Sequence, residues 1–403
     1  MTAAALDAPP AAPTRATLSA VRRHLHRIPE LGFQERKSAA YVRAWLTEHG
    51  FEPSAPLAGT GLYVDVAGRS PGPTVAYRAD MDALPIVDAK EVDYASTHHG
   101  VTHACGHDAH MAIACGVALE ARRRSDDFDG TVRVFFQPCE ESVPSGAPAM
   151  MADGLFEANG ADGPVESVYA VHVDPTLPVG RVGVRDGSLT AACSPFVVRI
   201  ASGQSGHSAR PHEAIDTVWV ANQIASDLYQ LAGRITDARR AAVLTICRFV
   251  GGDALNVIPS EVEFGGTLRC VDSETMRMLR EKMRRVAGAL GAVYKADVDV
   301  EFAHLLPPVV NTPREVDLAR ASVAAVLGDE ATVELPMPSM GGEDFAYYLE
   351  QKPGAMIRIG SAGGAETRYP LHHARFDLDE AALPLAARVM ADVCIRDLTT
   401  RTA

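Results

Sequence analysis

Apolar residues recur at helical spacing through the first fifty positions: Leu18, Val21, Leu25 and Ile28, then Tyr41, Val42 and Leu46. The spacing predicts two helices within 14–50, separated where Pro29 and Gly32 interrupt the pattern. Two β-rich runs follow, Gly61–Val66 and Thr74–Arg78, and then a helical stretch over 106–123 rich in Ala and Leu. The run Thr131–Phe136 (TVRVFF) has few polar positions, as expected for a strand in the middle of a sheet. Val168–Val173 (VYAVHV) reads the same way. Strands alternating with helices predict an α/β fold in which a central, largely parallel or mixed sheet is sandwiched by helices.

Beyond Gly187 the texture changes. Strand Phe196–Ile200, a helix over 212–232, strands Ala242–Phe249 and Glu261–Arg269, helix Ser273–Leu290 and strand Val298–Phe302 follow in the order βαββαβ. That order fits a small α+β sheet with two helices on one face. It predicts an inserted domain at 188–302 between the two parts of a discontinuous larger domain, 14–187 and 303–403. The α/β pattern resumes at Thr312 and closes in a helix over Asp379–Arg396. Residues 1–13, rich in Ala and Pro, predict a disordered tail and do not read as a secretory signal.

Composition narrows the picture. The 403 residues carry 38 Lys and Arg against 51 Asp and Glu, a net charge of −13, which argues against a nucleic-acid partner. No apolar run approaches the roughly 20 residues of a membrane span. The seven scattered cysteines suit free thiols in a reducing, cytoplasmic compartment better than a disulfide framework. Of the 14 histidines, five (His98, His99, His103, His107 and His110) fall in one short stretch beside Cys105 and Asp108, which is a reason to look for metal.

Within HACGHDAHMA, Gly106 allows a tight turn entering a helix, so that Cys105 and His107 can converge on one point. A thiolate and an imidazole are good ligands for zinc-like ions. Glu140 and Glu141 lie in Gln137-Pro138-Cys139-Glu140-Glu141, the segment directly after the TVRVFF strand, at the strand end where α/β folds place active sites. One could hold a metal and the other a water, or both could be solvated loop acids. His172, inside an apolar strand, is either a core residue or a ligand. His372 and His373 form a further candidate pair. Asp80 and Asp82 leave their strand on one face, as ligands, as groups that orient a His, or as turn caps; orientation of a His is favoured. In the inserted segment, His207 and His212 flank a loop, Asn256 opens NVIP, and Arg269 closes a strand where it could clamp a carboxylate or form a surface ion pair. Glu343, in the turn GGEDF, either lines a pocket or caps a helix.

Taken together, the motifs resemble the bacterial and plant amidohydrolases that include hippurate hydrolases, N-acyl-amino-acid amidohydrolases and auxin-conjugate hydrolases, relatives of dinuclear metallo-aminopeptidases and carboxypeptidases. The resemblance runs in order through HRIPELGFQE, YRADMDALPI, HACGHDAHMA, FFQPCEES, VHVDP, GHSARPH, NVIPSEVEFGGTLR, MGGEDFAYYL and LHHARFDLDE, nearly the whole chain. It implies a pair of divalent ions (zinc, manganese, cobalt or nickel) held by Cys105, His107, Glu141, His172 and His372, with Glu140 as general base. It places Asp80 and Asp82 where the wider group has a ligand His and its orienting Asp. It gives His207 the role of reaching the partner's active site across a dimer, and Asn256 and Arg269 that of binding the substrate's carboxylate end. The implied reaction is hydrolysis of an N-acyl amino acid, with 188–302 as a lid or dimerisation domain of a homodimer or higher oligomer. A dipeptidase or aminopeptidase-like enzyme and a non-hydrolytic metal-binding regulatory module are the competing readings. The chain departs from the family at Cys139, where a small residue such as Ala is usual, and at His373-Ala374, where Asn or Ser and then Pro follow the final His. His372 is therefore the preferred last ligand, with His373 the alternative.

Overall fold

A computed structural model describes residues 12–157 and 163–402. The tail expected over 1–13 thus lies, up to position 11, outside the described residues. The chain forms two compact units: Met1–Gly187 with Val310–Pro336 and Tyr347–Ala403, and Ser188–Val309 with Met337–Ala346.

The first unit is built on a seven-stranded mixed sheet. Its strands run in the order Leu62–Ala67, Thr131–Gln137, Thr74–Asp80, Val165–Pro178, Gly354–Ala362, Val182–Val184 and Thr332–Glu334. The four strands from Thr131–Gln137 to Gly354–Ala362 are mutually parallel, and Leu62–Ala67 runs antiparallel at one side. Every residue of Thr74–Asp80 and Thr131–Gln137 is buried, which is why apolar residues fall on both faces of these strands rather than alternating with polar ones.

Helix His107–Arg123 lies against the sheet and is buried from His107 to Ala121. It packs on Ala382–Thr402 and Arg15–Arg27, and Gly116 lies where it meets Ala387 and Leu18. A Cβ there would lie 2.7 Å from Ala387 Cβ, so only glycine lets the two helices meet. Helix Arg15–Arg27 starts where the Thr14 hydroxyl accepts from the Thr17 N–H, and it buries Leu18, Val21 and Leu25, as their spacing predicts.

The second unit holds a four-stranded antiparallel sheet in the order Asp297–Phe302, Ala192–Ala201, Glu261–Cys270, Ala242–Val250. Helices Thr217–Ile235 and Ser273–Tyr294 supply Val220, Ile224, Leu228, Met276, Leu279 and Met283 to one core with Phe196, Val198, Phe264 and Leu268. The order βαββαβ is as expected. The first of these helices begins at Thr217 rather than 212, because Pro211–Glu213 forms a separate 3-10 turn and the Asp216 carboxylate caps the Trp219 N–H.

Candidate metal centre

Two strands of the first unit end beside one another, and a third passes alongside; together they deliver the candidate residues. Thr74–Asp80 ends at Asp80, with Asp82 just beyond; Thr131–Gln137 leads into Glu140 and Glu141; Val165–Pro178 carries His172. Cys105 and His107 arrive on the entry to helix His107–Arg123. There Gly106 takes φ 87, a left-handed turn that a side chain would resist. His372 comes in on a separate loop, also at positive φ (65°), with its N–H bonded to the Ala104 carbonyl at 2.8 Å.

The hydrogen bonds fix the tautomers. His107 Nδ1 donates to the Asp82 carbonyl at 2.8 Å, so a neutral ring presents its Nε2 lone pair. That Nε2 is buried and makes no hydrogen bond, yet Asp80 Oδ2 lies at 3.6 Å, Glu141 Oε1 at 3.8 Å and Glu140 Oε2 at 4.0 Å. His172 Nδ1 donates to the Val173 carbonyl at 2.8 Å, and its Nε2 sits 3.4 Å from Cys105 Sγ. His372 Nε2 lies 3.4 Å from Glu141 Oε1. Overlapping groups result, with donor atoms within 4.8 Å of one another, among them Cys105, His107 and His172; Cys105, Glu141 and His372; His107, Glu140 and Glu141; and Asp80, His107 and His110. A thiol, imidazoles and carboxylates converging on a buried, unpartnered imidazole nitrogen are a donor set that fits divalent transition-metal ions.

The electrostatics agree. Burial alone would lower His107, but Asp80, Asp82 and Glu141 outweigh it and raise it to about 10. Carboxylates that favour an imidazolium so strongly would equally favour a metal cation among them. Burial, then Glu141 and Glu140, push the Cys105 thiol well up; a coordinated cation reverses that, because a metal-bound thiol is deprotonated. Burial also holds His172 well below its usual range, hence neutral and able to ligate.

Asp80 and Asp82 border this cluster on His107. Each Asp80 oxygen has a partner: Oδ2 accepts from Arg78 Nη1 at 2.7 Å, and Oδ1 accepts from His110 Nδ1 at 2.7 Å. His110 Nε2 in turn accepts the Val173 N–H at 3.0 Å, so both of its nitrogens are used. Asp82 Oδ2 accepts the Glu141 N–H at 2.9 Å. Of the five clustered histidines, His98 pairs with Lys37 Nζ and the Pro29 carbonyl, and His99 is exposed. His103 is buried without a hydrogen-bond partner, and burial lowers it to about 3. His373 turns away from the cluster; its ring stacks on Tyr369 and its Nδ1 accepts the Arg375 N–H.

In the second unit, His207 is exposed on a two-stranded ribbon opposite Val257, which brings Asn256 beside it. Arg269 Nη1 donates to the Met340 carbonyl at 2.7 Å. Glu343 is buried, and its Oε1 accepts the Phe345 N–H at 3.1 Å.

Residues 76–396 match the model of "Peptidase family M20/M25/M40". The chain belongs to this family. It is accordingly a hydrolase of the M20 group. It is 38% identical over 381 residues to an N-acetylcysteine deacetylase of Bacillus subtilis, covering 94% of this chain and 96% of that protein. It is 36% identical to the N-acetyldiaminopimelate deacetylase of the same organism, covering 93% and 96%. A solved Bacillus subtilis structure, the YXEP protein described as a dinuclear metal-binding peptidase from the M20 family, matches with a TM-score of 0.84 at 36% identity, covering 96% and 98%.

The sequence did not single out several residues that frame the centre of this M20 hydrolase. Arg22 is wholly buried and donates to Asp108 at 2.8 Å and Asp377 at 2.6 Å, fixing the start of the His107 helix. His26 adds a 2.7 Å bond to Asp108. Glu35 bonds the backbone of Cys139. For Arg22 the one local signal is a charged residue beside the apolar positions Val21 and Leu25 of its helix.

Proposed function

We propose that the protein hydrolyses the amide bond of N-acyl amino acids, releasing a carboxylic acid and a free amino acid. The observation that carries this reading is the buried His107 Nε2, which makes no hydrogen bond and faces carboxylate oxygens of Asp80, Glu140 and Glu141 beside Cys105 and His172. The substrates named for the two deacetylases support the substrate class.

In this reading Cys105, His107, Glu141, His172 and His372 hold two divalent ions; the thiolate leans towards zinc, while imidazole and carboxylate also suit manganese, cobalt or nickel. Bound there, such ions polarise a carbonyl and acidify water. Glu140 takes a proton from the attacking water and delivers it to the leaving amine. Asp82 fixes the His107 tautomer through its carbonyl and steadies Glu141 through its carboxylate, while Asp80 holds His110. His207 of the partner subunit donates a hydrogen bond to the developing oxyanion. Asn256, Arg269 and Glu343 bind the substrate, with Arg269 on its α-carboxylate. The seven free cysteines suit a cytoplasmic setting. No helix among the described residues is long and apolar enough to cross a membrane.

A panel of hippurate, N-acetyl amino acids and dipeptides, run with metal analysis, tests the proposal. N-acyl amino acids should be cut in preference to dipeptides, and esterifying or amidating their α-carboxylate should sharply weaken hydrolysis. Preferential cleavage of dipeptides would replace the proposal with a peptidase reading. Equal cleavage of blocked and free substrates would remove the role given to Arg269.

A further inference from the structure

Glu35 is buried without exposed surface at the start of helix Arg36–Glu48, outside the metal centre. One carboxylate oxygen, Oε1, accepts two backbone N–H groups, from Phe33 at 2.9 Å and from Cys139 at 2.9 Å. The other, Oε2, accepts the Thr60 hydroxyl at 2.8 Å. Both residues tied to Oε1 have a left-handed backbone that side chains disfavour: Phe33 at φ 59 and Cys139 at φ 52. Such conformations persist when their surroundings over-determine them. Here one oxygen fixes both turns at once.

The position of Cys139 makes this consequential. It directly precedes Glu140 and Glu141, and its left-handed turn falls two residues beyond the end of strand Thr131–Gln137. Two carboxylates therefore grip the backbone on either side of Glu140: Glu35 holds the Cys139 N–H, and Asp82 holds the Glu141 N–H. The fit is close, since a Cβ on Gly32 would fall 2.6 Å from Cys139 Sγ. Glu35 itself has no role in the function proposed above.

We propose that Glu35 is a positioning residue that holds Cys139 in its left-handed turn and thereby sets the aim of Glu140 and Glu141. This rests on the reading of Glu140 as base and Glu141 as metal ligand. Gln at position 35 can still accept both N–H groups through its amide oxygen while its NH2 donates to the Thr60 hydroxyl. Asp keeps the charge but is one methylene too short to reach.

The test compares E35Q, E35D and E35A in the full-length protein. It reads zinc affinity by calorimetry, kcat and KM on hippurate and N-acetyl amino acids, and melting temperature. E35D and E35A should lose about 10–100-fold in zinc affinity and in kcat, the range usual for residues that orient metal ligands. KM should stay within about twofold, because the lost interaction acts on the reacting groups rather than on ground-state binding. E35Q should stay near wild type. In a Cys139→Gly background, where the left-handed turn needs no clamp, the E35D loss should shrink. A wild-type kcat and zinc affinity in E35D, or an undiminished E35D loss in the glycine background, would overturn the proposal. Should E35A fail to fold, E35D against E35Q decides alone. An E140Q control separates the two claims: if it retains turnover, the reading of Glu140 fails, whereas zinc affinity still reports on Glu35.

Discussion

Each residue around His107 has its proton budget fixed by a neighbour. The Asp82 carbonyl takes the Nδ1 proton, which leaves Nε2 facing the cluster. His110, three positions on along the same helix, is used up by Asp80 and the Val173 N–H. This is why one of two adjacent helical histidines offers a lone pair and the other does not. Cys105 is the soft donor of the set, and we expect Cys105→Ala to lower bound metal per chain by elemental analysis. Unchanged stoichiometry would make the thiol a packing group. Most of this centre was legible in sequence, because its residues fall in short motifs at strand ends and a helix start. Arg22 and Glu35 were not, because their partners Asp108 and Cys139 lie 86 and 104 positions away and no local spacing joins them.

At the scale of elements, the first and last helices are tied to the core by buried carboxylates with ion-pair and hydrogen-bond partners. Arg22, on the first helix, bonds Asp377 and Glu380 as well as Asp108; Asp397, on the last helix, accepts from the Ser167 and Tyr169 hydroxyls of a central strand. Burial works to raise Asp377, Glu380 and Asp397, but Arg22 and Tyr94, Arg23 and Arg22, and Ser167 and Arg314 respectively outweigh it and hold all three below their ordinary values. A carboxylate depressed in the folded state adds stability that is complete above its unfolded pKa, about 4, and is lost as pH falls through the folded value. Acid unfolding should therefore set in below about pH 4. Arg22→Met should cost about 3–5 kcal/mol near neutral pH, since it leaves buried carboxylates unpaired. The cost should diminish at low pH, as read by denaturant unfolding; a pH-independent cost would mean that Arg22 acts by packing alone. The regular elements were legible from periodicity. The three-residue strands Val182–Val184 and Thr332–Glu334 were not, being too short to show an alternation, and the last helix runs to Thr402 past the expected Arg396.

For the whole molecule, the net charge of −13 and a carboxylate-bearing substrate are compatible under the proposed function, because divalent ions would make their surroundings locally positive. The acidic total then serves solubility. The second unit leaves strand Ala242–Val250 as a sheet edge, with Phe249 and Val250 about half exposed, and Trp219 and Tyr229 equally exposed on helix Thr217–Ile235. An apolar sheet edge of this kind invites pairing with a second copy, in line with the proposed homodimer. Sedimentation should find a dimer. Val250→Lys, which puts a charge on the edge, should weaken it about tenfold or more. A monomer at micromolar concentration would remove the dimer and, with it, the role given to His207 of the partner subunit.

The central claim is that Glu140 moves the proton while its neighbours hold the metal. Turnover and metal content of Glu140→Gln, measured together on a cleaved N-acyl amino acid, test it most directly. The account predicts metal per chain equal to wild type and kcat lower by about 10²–10⁴-fold. Near-normal turnover with full metal content would contradict it.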